Sequence, residues 1–310
     1  MESLPTRIAR LVHTHFDGLP PRSKPIVRDD GTREWIPMSG VVVVRGENTP
    51  VEELTCVAVT SGAKCLSAAQ IPHCKGLVLH DWHAEILALR AFNYWLLGEV
   101  RAVVEMENNS STSAAAATAG DSTTRKKSPF VRRRQQQRQR IPRSTTDLNP
   151  NPDTETATET QTQTETEEST PFELHPALKI YMYCTCAPCG DASMELTMAA
   201  QDDPTPWEIP EQSDTDKQPP QPPSETQPHP PPPPDPETET ESKLLDGRAH
   251  FSKLGIVRRK PARADASSTK SKSCSDKLAL RQVSSLISRE MGLLVAVTRN
   301  AYLAGVVMPS

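Results

Sequence analysis

The apolar residues of this chain gather in short periodic stretches separated by long polar ones. In residues 6–13, "RIARLVHT", Ile8, Leu11 and Val12 recur at helical spacing and predict an amphipathic helix. The prolines of "GLPPRSKP" then break it. "GVVVVRG" (40–46) and "ELTCVAVTSGAKC" (53–65) are rich in β-branched residues, bounded by glycine, and read as strands. A loop with Pro72 and Gly76 leads to "LHDWHAEILALRAF", whose apolar spacing predicts a helix over 83–98. "ALKIYMYCTC" (177–186) has strand character, and "APCGDASMELTMAA" begins as a turn and continues as a helix. "CSDKLALRQVSSLIS" predicts a helix with Leu278, Val283, Leu286 and Ile287 inward, and "AYLAGVVM" a final strand.

Two polar segments interrupt this order. Residues 106–170 hold a Ser/Ala/Thr tract, the basic run "RKKSPFVRRRQQQRQRIPR" and the acidic "DTETATETQTQTETEEST". So few apolar residues cannot offset the entropy of ordering the segment, which predicts a disordered insertion. Its basic run has the composition of a nuclear-import or nucleic-acid-binding tract, although a solvated linker explains it as well. Residues 201–242 form a second insertion, where 14 of the chain's 30 prolines fall between Pro204 and Pro236 and predict coil or polyproline II. Without both insertions roughly 200 residues remain in βαβ-like alternation, enough for one core in an α/β fold.

Charge and cysteine content sharpen the picture. The net charge of −4 conceals an uneven distribution: residues 243–310 carry 13 Lys and Arg against four Asp and Glu, which favours a polyanionic partner. No stretch approaches the ~20 apolar residues of a membrane span, and residues 1–20 lack the apolar core of a signal peptide. Seven cysteines, an odd number without an export signal, point to reduced thiols and so to metal or catalytic chemistry.

His83 and Glu85 stand two residues apart at the start of the predicted helix. In a helix interior such residues face different sides, so only the first turn lets both serve one site. One histidine with a glutamate at +2 fits a metal ligand beside a proton-transfer group, though a core histidine and a surface glutamate share the pattern. In "CTCAPCGD", Cys189 lies at a strand-to-helix junction, where the helix dipole favours the thiolate that zinc requires. Zinc deaminases pair a histidine-x-glutamate element with P-C-x-x-C, and their glutamate is the acid/base rather than a ligand. Here Ala192 stands where the second cysteine of that element would be. Cys186-x-x-Cys189 could form a redox or zinc motif of its own, and Cys274 in "SKSCSDK" offers a third ligand beside a capped helix start. One histidine and two thiolates with an open fourth position describe a catalytic zinc site.

The order "HAE … PCGD … CSDK", with "SGAKC" ahead of it and "KPARAD" before the last cysteine, resembles the eukaryotic adenosine deaminases that act on RNA, most closely their tRNA-specific branch. The resemblance covers the start through "GLPPRSKP", then 53–98, 174–198 and 244–310. It implies a cytidine-deaminase-like three-layer fold, a mixed central sheet flanked by helices, in a single deaminase domain over 1–310 cut short at its C-terminal end. It implies zinc held by His83, Cys189 and Cys274, and hydrolytic conversion of adenosine to inosine with Glu85 as proton carrier. The implied partner is tRNA, at position 37 beside the anticodon of tRNA-Ala, in the nucleus or cytoplasm. Double-stranded RNA is the alternative substrate, and an inactive RNA-binding scaffold the alternative role. Lys64, Arg258, Arg259, Lys260 and Arg263 would face RNA. The family buries an inositol hexakisphosphate, toward which Asp81, Arg90 and Lys277 would act as ligands or relay. Leu89 and Leu280 replace basic residues of the relatives and, with the short C-terminus, leave that pocket incomplete. Oligomeric state is not legible.

Overall fold

Strand β1 (Met38–Arg45) is buried along nearly its whole length because its four consecutive valines are covered on both faces. Side chains alternate across a strand. Val41 and Val43 therefore join one apolar cluster, Val42 and Val44 another. Helix α2 (Ala84–Ala114) packs the first face with Ala88, Phe92, Leu96 and Val100. Helix α1 (Leu4–Asp17) packs the second with Ile8 and Val12. Helix, sheet and helix thus form three layers. Phe92 is fully buried, and trimming it to alanine would cost about 3–5 kcal/mol.

The computed structural model describes residues 2–114, 128–134, 170–194, 245–246, 255–260 and 267–309. Strand β2 (Glu53–Ser61) pairs antiparallel with β1. Two short strands, β3 (Val131–Arg133) and β4 (Phe172–Leu174), precede β5 (Leu178–Cys184). Strands β6 (Leu245–Asp246) and β7 (Arg258–Arg259) form a two-stranded parallel ladder. Helix α3 (Cys274–Ser284), β8 (Val295–Ala296) and β9 (Leu303–Val307) complete the order. The main sheet runs β2-β1-β5-β9, with β5 and β9 parallel and its other pairs antiparallel, so it is mixed. A smaller sheet, β3-β4-β8, lies beside the far part of α2.

Several boundaries differ from expectation. The strand predicted over 53–65 stops at Ser61, where residues 62–66 turn to bond the segment before α2. The helix predicted over 83–98 continues to Ala114, because Val100, Val103 and Val104 prolong its apolar stripe. Part of the predicted disordered segment 106–170 is therefore ordered. Residues 106–114 are helical, and 128–134 supply β3, anchored by Val131 in the core and by Phe130 edge-on to Trp95 at 5.1 Å. Residues 115–127, 135–169 and the second predicted insertion, 201–242, lie outside the described residues. In α3, Val283 points to solvent rather than inward. The helix ends one residue later at Ser284, the φ of 81° at Ser285 turns the chain, and Leu286 and Ile287 reach the core from beyond that turn.

Candidate metal centre and active site

Three local devices bring distant residues together. The first is at the mouth of α2. Residues 62–66 lie against 80–84, with Trp82 N–H donating to the Lys64 carbonyl at 2.8 Å and Ala84 N–H to that of Gly62 at 2.9 Å. Only glycine fits at 62: a Cβ there would sit 2.0 Å from the Trp82 carbonyl oxygen. His83 is thereby fixed just ahead of α2, its carbonyl accepting from Ile86 and Leu87 N–H at 3.0 Å. Glu85 follows in the first turn, where it is buried.

The second device follows β5, whose end delivers Cys189 to a tight turn. Gly190 takes a φ of 101°, in the left-handed region that glycine tolerates best. A Cβ there would meet Ser273 Oγ at 2.3 Å. The third device is the start of α3. Ser273 caps the helix, its Oγ accepting from Asp276 N–H at 3.1 Å, and Cys274 is the first helical residue. Cys274 N–H donates to Cys189 Sγ at 3.3 Å and Ser275 N–H to the Cys189 carbonyl at 2.9 Å, joining the two sulfur-bearing turns.

The donor atoms of His83, Cys189 and Cys274 all lie within 4.8 Å of one another. Cys189 Sγ is 3.7 Å from His83 Nδ1, and the Cys274 thiol donates to Glu85 Oε2 at 3.4 Å. One imidazole nitrogen and two sulfurs suit zinc, and a set of three leaves one tetrahedral position for water or substrate. Charge distribution agrees with that use. The hydrogen bond from Cys274, together with those of its other neighbours, holds the Cys189 thiol far below its ordinary value despite burial, so it sits as thiolate. The same bond and burial push Cys274 up. Burial opposes charge on His83, but its bonds to Cys189 and Cys65 raise it to about 9. Burial also raises Glu85 above its ordinary value.

Beneath these donors lies an ionic layer. Lys260 Nζ donates to Asp81 Oδ2 at 2.8 Å and to Cys274 Sγ at 3.2 Å, and Lys277 also bonds Asp81 Oδ2. Burial works against a charged Asp81, yet the Lys260 ammonium and the bonds from Lys260, Lys277 and His83 N–H hold it at about 2. Burial likewise opposes the Lys260 charge, and Cys189, Cys274 and Asp81 outweigh it.

This layer changes the placement expected for the basic segment. Lys260 and Arg258 are 4% and 1% exposed, so neither presents a cation to RNA phosphates. Lys260 faces the sulfurs, and Arg258 Nε lies 3.6 Å from Asp191 Oδ1. Arg259 is half-buried in β7, Lys64 is exposed beside the site, and Arg263 lies outside the described residues. Inositol hexakisphosphate does not fit the cations present among the described residues. Arg90 is exposed, Lys277 is engaged by Asp81, Leu89 is in the core and Leu280 is exposed. Cys186 joins no three-donor group among the described residues, and burial pushes its thiol up. Two participants were not legible. Cys65 groups with Asp81 and His83, and its only sequence signal is its place at the end of "SGAKC". Ser275, whose Oγ donates to the Pro188 carbonyl at 3.2 Å, carried none.

One histidine, two cysteines and a buried glutamate at helix starts beside a mixed sheet are the residue types that zinc deaminases bring together. Residues 146–286 match the family model of the adenosine-deaminase (editase) domain. The match includes Cys189 and Cys274, while His83 and Glu85 precede it. Over 288 residues, 93% of the chain, it is 31% identical to tRNA-specific adenosine deaminase 1 of Schizosaccharomyces pombe, covering 53% of that protein. It is 25% identical to the Saccharomyces cerevisiae protein of the same name, over 93% of the chain and 54% of the relative. Double-stranded RNA-specific editase B2 of Mus musculus is 36% identical over 63 residues, 20% of the chain and 8% of the relative. The chain thus spans about half the length of the first two relatives.

Proposed function

We propose that this chain is the deaminase part of a tRNA adenosine deaminase of cytidine-deaminase-like fold, converting adenosine and water to inosine and ammonia. The observation that carries the reading is the convergence of His83, Cys189 and Cys274, with the Glu85 carboxyl against the same cluster. His83, Cys189 and Cys274 would hold zinc, which when bound lowers the pKa of a water from about 16 toward 7. Glu85 takes the proton that the water loses and passes it to the purine ring nitrogen as C6 becomes tetrahedral. It then takes the C6 hydroxyl proton as the carbonyl forms and delivers it to the departing amino group, which leaves as ammonia. Its burial suits both roles, because a carboxyl raised above its ordinary value is a better proton acceptor and remains a proton donor.

The target base must leave its stack to reach the site, and a loop base is cheaper to extrude than a paired one. That cost favours an anticodon loop, with position 37 of tRNA-Ala as the particular substrate. The relatives named for tRNA support tRNA over duplex RNA, since their similarity runs over 93% of the chain against 20% for the double-stranded RNA editase. Lys64, exposed beside the α2 mouth, would meet backbone phosphate. No helix among the described residues is long and apolar enough to cross a membrane. The test is incubation of the full chain with tRNA-Ala, tRNA-Ala carrying guanosine at position 37, and a long RNA duplex, with inosine read by mass spectrometry. Inosine in the first alone supports the proposal. Inosine in the duplex alone overturns the substrate, and inosine in none overturns the activity of this chain.

A further inference from the structure

Cys65 lies outside the three-donor set, yet its sulfur, an Asp81 oxygen and a His83 ring nitrogen also fall within 4.8 Å of one another. Two readings compete: a second cation site sharing His83, or a support for the His83 ring. The surroundings of Asp81 decide between them. Its Oδ2 already accepts from two ammonium groups, Lys260 and Lys277, and its Oδ1 accepts from His83 N–H at 3.0 Å and from the Cys65 thiol at 3.4 Å. A divalent ion placed there would stand among two lysine charges with a single carboxylate to offset them, which disfavours it.

The arrangement instead has the form of an orienting shell. A ring nitrogen bound to a metal is aimed by the partner that its other nitrogen finds. His83 turns Nδ1 toward Cys189, and the Cys65 sulfur lies within 4.8 Å of a His83 ring nitrogen; the remaining nitrogen is available to it. Cys65 itself has little freedom. It forms an isolated antiparallel bridge with Asp81, and Leu66 N–H donates to the His80 carbonyl at 2.9 Å. Its thiol proton is directed at Asp81, which leaves sulfur lone pairs toward the imidazole.

We propose that Cys65 is a positioning residue that accepts the outer N–H of His83, fixing the ring tautomer and its aim toward Cys189 and Cys274. This rests on the metal-site reading above. Losing such a partner typically weakens a metal site about 10- to 100-fold.

The experiment is a zinc competition titration of the full chain, wild type against Cys65→Ala, Cys65→Val and Cys65→Ser, with melting temperatures of the zinc-free proteins in parallel. Wild type should bind one equivalent. Alanine and valine, which cannot accept the bond, should bind at least about 10-fold more weakly. Serine should recover most of the loss. In 15N spectra of the zinc-loaded proteins, His83 should show a single Nε2–H tautomer in wild type and serine but not in alanine. If alanine fails to fold, the valine protein, closer in volume, carries the comparison. Wild-type affinity in the folded alanine or valine protein overturns the role of Cys65, and a second zinc equivalent lost on substitution establishes the rival cation site. Wild type that binds no zinc overturns the metal centre itself, and this inference with it.

Discussion

Asp81→Asn is the sharpest test of the ionic layer beneath the site. Asp81 is 3% exposed and accepts from Lys260, Lys277, Cys65 and the His83 amide. A carboxylate held at about 2 instead of 3.8 contributes roughly 2 kcal/mol of folding stability at neutral pH. Asparagine also leaves Lys260 buried without its carboxylate, and breaking a buried pair in this way costs about 3–5 kcal/mol. A loss of about 3 kcal/mol at pH 7 is expected. The assay is urea unfolding of both proteins with chelator present, from pH 7 down to 2. The folded-state pKa of Asp81 is depressed, so its stabilisation is fully present above its unfolded value of 3.8. It is lost as pH falls through about 2. The gap between wild type and variant should therefore hold from pH 7 to about 5 and narrow toward pH 2. A difference within about 0.5 kcal/mol at pH 7, the range of an ordinary surface substitution, refutes the reasoning. So does a gap that widens in acid.

Other substitutions test the parts of the site separately. Glu85→Gln should retain stoichiometric zinc by atomic absorption while inosine formation falls at least about 100-fold, and turnover at the normal rate removes Glu85 from proton transfer. Cys274→Ala should lose the metal, whereas full retention would move the third ligand to Cys184 or Cys186. Gly190→Ala should destabilise by about 1–3 kcal/mol in urea and weaken zinc binding, because its Cβ would stand 2.3 Å from Ser273 Oγ. An unchanged midpoint and affinity would show that the turn opens freely.

The elements that could be read from the sequence are those whose signal is local. The valine run of β1, the stripe of Ile8 and Val12, and the start of α2 follow from periodicities that tertiary contacts reinforce. His83, Glu85, Cys189 and Cys274 could be singled out because each sits at an element boundary that the sequence marks. Burial of charge could not. Lys260 stands among arginines and reads as surface, and its interior position depends on Asp81, 179 residues earlier in the chain. Val283 continues a helical stripe but points to solvent, and Leu286 and Ile287 reach the core only beyond the backbone reversal at Ser285. Strand β3 lies in a basic, low-complexity run, where only Phe130 and Val131 give it something to bury. Cys65 acts through a loop pairing that no periodicity encodes.

Glu85 and Cys274 touch across 189 residues of chain, which has a consequence for synthesis. At ribosomal rates of 5–20 residues per second, the first half of the site waits about 10–40 s for its last sulfur to be made. For the last 85 residues of that interval, about 4–17 s, Cys189 is a thiol with an unfinished environment, open to oxidants and to stray ions. Chaperones, or early closure of β5 onto β1, would be its protection on the ribosome. Metal uptake would then mark the moment at which the nascent polypeptide has finished folding.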